Sequence, residues 1–374
     1  MTIGIDARFF GPRAKGLGRY TQKLISELEK QDKENNFIIF LRQTEFDLYQ
    51  PANPRFKKIL ANWRWYSLAE QIFMPLTICR QKVDLMHFPH FNVPFFWRGP
   101  FVITIHDLIL QHFPTHRASK LNIIFYWLKY LAYRVVISSA IKRSLKIITI
   151  SNFVKEDIIK NFNVPREKIV VIYEGAPNSE SKMNSALSSE QKNKTNPYLL
   201  YVGNAYPHKN LEKLIEAWFL LRKKRADLSL VLVGEDDYFY QRLRKKAPSG
   251  VFFAGFKSDE ELINIYQQAS VYVFPSLCEG FGLPPLEAMA YGVPVVAAET
   301  TCLPEILGEA ALYFNPESVE DIASKINEVL ENEKLYRLLQ EKGFEQIKKY
   351  SWSEMARQTL KIYNNFNFKK RHQE

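Results

Sequence analysis

Apolar residues in this chain fall in short bursts, separated by longer stretches in which they recur every third or fourth position. Bursts at 2–6, 37–41, 84–88, 101–106, 146–150 and 169–173 predict strands buried on both faces of a parallel sheet. Helical spacing at 17–30, 65–79, 119–142 and 152–161 predicts helices between them. The second half repeats the logic, with strands predicted at 198–203, 229–234, 251–254, 271–274, 294–297 and 311–314 and helices in the gaps. Strict alternation predicts an α/β protein with parallel sheets covered by helices on both faces. Two such series in one chain predict two Rossmann-like domains with a cleft between them. The stretch 178–196, rich in Ser, Asn and Lys, reads as a linker between a first domain at 1–177 and a second at 197–352. A last helix, predicted at 353–368, follows completion of the second domain.

Length and composition agree with this picture. A chain of 374 residues with 46% hydrophobic content can bury two cores. Met1 runs directly into the first strand, so no leader peptide is expected. Cys79, Cys278 and Cys302 are scattered without metal-ligand spacing, which suits a reducing, cytoplasmic setting and no bound metal. Charge is uneven. Residues 1–177 carry 26 Lys and Arg against 14 Asp and Glu, while the remainder carries 25 against 26. The basic excess of the first half points to an anionic partner, such as a phosphorylated lipid at a membrane surface, and is equally compatible with a basic domain that has no such partner. Nucleic acid is disfavoured, because no zinc-finger, RNA-recognition or homeodomain pattern occurs. The stretch 119–142, with Phe125, Tyr126, Trp127, Tyr130 and Tyr133, is unusually aromatic. A membrane-spanning role fails on Lys129 and Arg134, at roughly 3 kcal/mol each near the bilayer centre. Interfacial docking and packing on the domain core both remain open for it.

Four stretches carry candidate chemistry. The string from Glu279 to Glu287 (EGFGLPPLE) follows the buried strand at 271–274. Its glycines bend a loop, Pro284 and Pro285 suit a first helical turn, and Gly292 with Pro294 closes the helix. Glu279 is thus expected on the loop and Glu287 in the first turn, at the strand's carboxyl end, where open α/β sheets bind ligands. A carboxylate there accepts hydrogen bonds from a sugar diol; the pair taken alone is equally compatible with two solvated glutamates of a capped helix. Between the first strand and helix, the stretch 11–20 (GPRAKGLGRY) brings Gly16 and Gly18 to a turn where backbone N–H groups can meet an anion. It is neither a Walker A motif nor a complete dinucleotide fingerprint. His106 and Asp107 end a strand, either facing a ligand or only orienting a loop; His87 and His90 have the same ambiguity. After the strand at 198–203, Lys209 is expected at the start of the next helix, where a cation can clamp a diphosphate. Gly255 and Phe256 end another strand. Ser151 and Asn152 read chiefly as a helix N-cap.

The string from Glu279 to Glu287 resembles the E-x7-E signature of the retaining family 4 glycosyltransferases of the GT-B fold. The resemblance spans nearly the whole chain and is strongest over 198–315. It implies two Rossmann-like domains facing a central cleft, with a C-terminal helix, about 353–374, crossing back to the first. It implies transfer of a hexose, mannose being the candidate, from a nucleotide-diphosphate sugar to a growing, lipid-linked cell-surface glycan of the lipopolysaccharide kind. The enzyme would sit in the cytoplasm, peripherally on the inner face of the cell membrane, and need no cofactor or metal. Catalytic roles would fall to Glu279, His106 and Lys209. Donor binding would involve Glu287, Gly16, Gly18, Asn204, His208, Gly255, Phe256, Gly280, Phe281, Gly282 and Leu283. Arg8, Arg19 and Asp107 would lie on the acceptor side. One departure stands out: the family often carries Arg where this chain has Asn204, with His208 as a partial substitute. A non-catalytic sugar-nucleotide-binding subunit and a GT-B epimerase or phosphorylase are the alternatives; no obvious lysine site for pyridoxal phosphate supports the last.

Overall fold

The computed structural model describes residues 1–11, 14–114, 123–177 and 196–371. Apart from Asn196, the predicted linker lies outside the described residues, as do the first residues of the helix expected at 119–142. The chain divides into two compact units: Met1–Gly175 with Ser351–Glu374, and Ala176–Tyr350.

The first unit runs β1 (Thr2–Asp6), α1 (Lys15–Gln31), β2 (Asn36–Leu41), α2 (Gln43–Phe46), β3 (Phe56–Leu60), α3 (Leu68–Arg80), β4 (Leu85–Phe88), β5 (Phe101–Ile105), α4 (Ile109–His112), α5 (Ile123–Arg143), β6 (Lys146–Thr149), α6 (Asn152–Phe162) and β7 (Ile169–Val171). Its seven strands pair in parallel in the order β3-β2-β1-β4-β5-β6-β7. The second unit runs β8 (Tyr198–Val202), α7 (Leu211–Arg222), β9 (Ser229–Val233), α8 (Tyr238–Arg244), β10 (Val251–Gly255), α9 (Asp259–Gln268), β11 (Val271–Phe274), α10 (Leu283–Ala290), β12 (Val295–Ala298), α11 (Leu303–Leu307), β13 (Ala311–Phe314), α12 (Val319–Glu331) and α13 (Glu333–Ile347). Its six strands are also parallel, in the order β10-β9-β8-β11-β12-β13. The final helix, α14 (Trp352–Arg371), belongs to the first unit.

Burial explains the layers. One face of the first sheet is covered by α3, α5 and α6 through Met74, Ile78, Ile137, Ile141 and Ile158. The other is covered by α1 and α14 through Leu24, Leu28, Met355 and Tyr363. Fully burying one such side chain contributes about 1.5–3 kcal/mol. Asn35 Nδ2 donates to Asn364 Oδ1 (3.2 Å), and Gln31 Nε2 donates to Ser353 O (3.0 Å), which pins α14 to the start of the fold.

Two elements differ most clearly from expectation. β3 has no counterpart in the sequence reading, because Lys57 and Lys58 break its apolar run. An edge strand tolerates such lysines, and Lys58 Nζ is occupied in donating to Phe46 O and Tyr49 O, both at 2.9 Å. α3 starts at Leu68 rather than at 65, because the Ser67 side chain accepts the Glu70 N–H and caps it. Ser151 caps α6 in the same way. In each sheet the strand order reverses once, between β1 and β4 and between β8 and β11. The loops after β8 and β11 carry Lys209 and Glu279, while His106 follows β5, next to the reversal in the first sheet.

Candidate functional site

In the second unit, β8 and β11 flank the reversal, and each delivers one charged side chain. After β8 the chain turns at Gly203 and passes Asn204, whose Oδ1 accepts the Tyr206 N–H (3.3 Å). Pro207–Lys209 forms a single 3-10 turn, closed by Asn210 in the left-handed region. Lys209 therefore stands just ahead of α7, whose N-cap is Asn210. The Leu277 N–H donates to His208 O (2.8 Å) and ties this turn to the loop after β11. Lys209 Nζ then donates to Glu279 Oε1 at 2.5 Å, with the two side chains only 13% and 10% exposed. An ion pair this enclosed is electrostatically strong and expensive to break on one side only.

The Glu279 backbone is fixed from the β12–α11 loop. Its N–H donates to Thr301 Oγ1 (3.2 Å), and its carbonyl accepts from Cys302 Sγ (3.3 Å). Burial, then the Glu279 charge, push the Cys302 thiol well above its ordinary value, so it stays a protonated donor. Thr301 sits at φ 49°, where a β-branched side chain costs roughly 1–3 kcal/mol. Sequence reading missed this residue, and no local signal marks it.

The remaining donor-side candidates divide. Gly280 is buried between Glu279 and Phe281. Gly282, at φ 108°, leads into α10 at Leu283, with Pro284 and Pro285 in the first helical turn as the sequence suggested. Glu287 is consequently the fifth helical residue, in the second turn and not the first. It is buried there, with Oε2 accepting from Tyr266 Oη (3.1 Å). Leu283 is half-buried, whereas the Phe281 ring is in the core, edge-on to Tyr350 at 5.4 Å. That ring is packing, so only the Phe281 backbone can face a ligand. Gly255, at φ 73°, has open space where a side chain would be, and Phe256 beside it is 72% exposed. An exposed ring next to a bare backbone offers a face on which a planar group can stack. Burial, then the Lys209 charge, lower His208 to about 4. His208 is thus neutral near pH 7 and does not supply the charge that Asn204 lacks.

The first unit presents a second cluster, again at strand ends. His106 follows β5. Its Nε2 lies 2.9 Å from Pro89 O, its Nδ1 lies 3.1 Å from Glu174 Oε1, and the Tyr20 ring meets it edge-on at 4.7 Å. Glu174 is buried and was missed, although an acid just past the 169–173 run is the same signal that marked His106. Behind them runs a buried chain: Tyr363 Oη to His87 Nδ1 (2.5 Å), His87 Nε2 to Thr104 Oγ1 (2.9 Å), and Thr104 Oγ1 to Tyr20 Oη (3.1 Å). Burial, then the neighbouring His106, hold His87 near 3, so it is a neutral structural link. Asp107 Oδ1 accepts the Ile109 N–H (2.9 Å) and orients the α4 turn. Gly16, near the start of α1, is exposed with nothing within 4 Å of an added Cβ. Gly18 is the opposite: a Cβ would lie 1.9 Å from Gly11 O, so its role is close packing. Arg19 is half-buried on α1.

Arg8 does not belong to the acceptor side. It is fully buried and donates to Asp6 (Nε to Oδ1 and Nη2 to Oδ2, both 2.7 Å), to Glu70 Oε1 (2.7 Å) and to Trp63 O (3.2 Å). Burial opposes its charge, but the two carboxylates more than offset that and raise its affinity for the proton. Among the described residues, no group of three or more His, Cys, Asp or Glu is placed to hold a metal ion.

Two doubly wound sheets, with a Lys–Glu pair at the second reversal and a His–Glu pair in the first unit, define a two-domain α/β enzyme of the GT-B kind. Residues 14–179 match the family described as Glycosyltransferase Family 4, and residues 184–346 match Glycosyl transferases group 1. The chain belongs to the group 1 glycosyltransferases of the GT-B fold. It is 30% identical over 373 residues to the O-antigen chain mannosyltransferase B of Escherichia coli, covering 93% of this chain and 95% of that one. It is 30% identical over 271 residues to the O-antigen chain mannosyltransferase RfbU of Salmonella typhimurium, covering 71% and 70%. In fold it matches sucrose-phosphate synthase from Thermosynechococcus elongatus, with a TM-score of 0.73, 20% identity and 98% of each chain covered.

Proposed function

We infer that this glycosyltransferase moves mannose from a nucleotide-diphosphate mannose to a growing lipid-linked glycan of the O-antigen kind, with retention of anomeric configuration. The buried Lys209–Glu279 pair at the second reversal carries the reading, and the full-length likeness to an O-antigen mannosyltransferase favours mannose. The bond from the anomeric carbon to the diphosphate oxygen breaks, the nucleoside diphosphate leaves, and an acceptor hydroxyl bonds the same face of the sugar while its proton passes to the departing diphosphate oxygen. The largest new charge is on the departing diphosphate, and the Lys209 ammonium stabilises it. Glu279, held by Thr301 and Cys302, binds the sugar and balances its developing positive charge. Glu287, steadied by Tyr266, accepts from the ribose diol, and Phe256 stacks on the base. His106, held by Pro89 and Glu174, orients the sugar. The acceptor occupies the first unit. The enzyme works at the cytoplasmic face of the membrane without a cofactor.

A donor screen tests this directly, because slow transfer to water needs no acceptor. GDP-mannose should be hydrolysed faster than UDP-glucose, and NMR of early product should show the donor's anomeric configuration. Glu279→Gln and Lys209→Ala should each lower turnover by about 10²–10³-fold, the usual loss when one charged contact to a transition state is removed. Since either change leaves a buried charge unpaired, Glu279→Gln combined with Lys209→Met checks that the fold survives. Full activity in both single variants sinks the assignment. Tight donor binding without any turnover would favour the non-catalytic subunit, in keeping with the neutral Asn204 and His208.

A further inference from the structure

The layer formed by α3, α5 and the 93–100 loop leaves a broad apolar surface uncovered. Leu68, Ile72 and Leu76 recur every fourth residue along α3 with Phe73 beside them, all exposed and Leu68 at 85%. The loop adds Phe95 and Phe96. On α5, Trp127, Leu128, Leu131 and Val135 form a second exposed stripe. These three segments carry ten of the twenty large apolar side chains that the described residues expose. A surface this concentrated marks a contact with something apolar.

The segments form one surface. The inner sides of α3 and α5 share a single core. Arg143, at the end of α5, donates to the carbonyls of Trp97 and Pro94 and lies 5.8 Å from the Phe95 ring, joining α5 to the loop. A groove of about 490 Å³ runs between α3 and the loop, past Ile72, Leu76, Phe96 and Arg98.

Charge identifies the occupant. Arg134 and Lys142 flank the α5 stripe at helical spacing, and both are exposed. Arg98, exposed, lines the groove, and exposed Arg80 ends α3. No Asp or Glu occurs in α5 or in residues 93–100, and the single acid of α3, Glu70, is buried against Arg8. A second copy docking through the same face would bring these cations against one another. An anionic lipid surface matches both properties, taking the apolar side chains at the acyl boundary and the cations at the headgroups. No described helix is long and apolar enough to cross the bilayer, so the contact is superficial.

We propose that the α3–loop–α5 face docks this enzyme on an anionic phospholipid membrane, with α3 and Phe96 entering the interface. The proposal deepens the reading of a lipid-linked acceptor, and its test is independent of that reading. The full chain is sedimented with vesicles of phosphatidylcholine alone, or of phosphatidylcholine with 30% phosphatidylglycerol, at low and high salt. Binding should require phosphatidylglycerol and weaken with salt. One variant carries Leu68→Ser, Ile72→Ser and Phe96→Ser; the other carries Arg134→Glu and Lys142→Glu. Each cation near such a surface is worth roughly fivefold in partitioning, so the second variant should lose about 25-fold or more. Melting curves confirm folding, which substitution of exposed side chains should preserve. Equal binding to neutral vesicles, unchanged binding in both variants, or a dimer dispersed by the triple substitution overturns the proposal. GDP-mannose hydrolysis is read in the same samples and should not change. Its absence from the wild type would strike the proposed reaction and leave the vesicle result standing.

Discussion

At the level of single residues, two glycines separated by one leucine have opposite jobs. Gly18→Ala drives a methyl into the Gly11 and Phe9 carbonyls, so α1 or the loop must shift. It should lower stability by roughly 3 kcal/mol, the upper range for overpacking, read as a drop in melting temperature. Gly16→Ala meets no neighbour and should gain up to about 1 kcal/mol of helix propensity. If Gly16 passes close to the donor diphosphate, that same stable variant should lose turnover. Glu174 invites a separate test. Glu174→Gln keeps the reach to His106 Nδ1 but removes the charge. A hydrogen bond to a charged group is worth about 1.5–3 kcal/mol of stability, so the melting temperature should drop by a few degrees, and kcat of the still-folded variant should fall about tenfold. A flat response would make Glu174 a packing residue.

Among the elements, the sequence was read correctly wherever burial on both faces left uninterrupted apolar runs. Nearly every strand of both sheets was legible for that reason, and β11 and β13 match their predicted ends. β3 was not, since an edge strand needs only one buried flank and can carry Lys57 and Lys58. The Glu279–Glu287 string announced a ligand-binding turn, but not that Lys209 would close on Glu279. That contact joins residues 70 positions apart through a 3-10 turn with no sequence signature. Arg8 was misread for a similar reason: its partner Glu70 is remote in the chain, and a buried cation looks like an exposed one in sequence. The last helix supplies an element-level prediction. Met355, Ala356 and Tyr363 of α14 are buried in the core of the first unit. Truncation after Tyr350 should therefore bare an apolar face, seen as increased binding of a hydrophobic dye and loss of cooperative melting.

For the molecule as a whole, acid should act early and through histidine. His87 is fully buried and titrates near 3, well below the ordinary 6.5. The unfolded chain therefore takes up this proton first, and stability is complete above about pH 6.5 and declines as pH falls toward 3. By pH 5 the loss from His87 alone is about 2 kcal/mol. His208 adds to it in the second unit, where the folded value is about 4. Melting temperature measured from pH 7 to 4.5 should fall throughout, and His87→Gln should flatten the slope while lowering the plateau. The three cysteines have a practical consequence of another kind. Cys278 and Cys302 are enclosed, while Cys79 opens onto the apolar groove beside α3. A maleimide fluorophore should couple at that one thiol, turning the native chain into its own optical reporter of lipid contact without any engineered label.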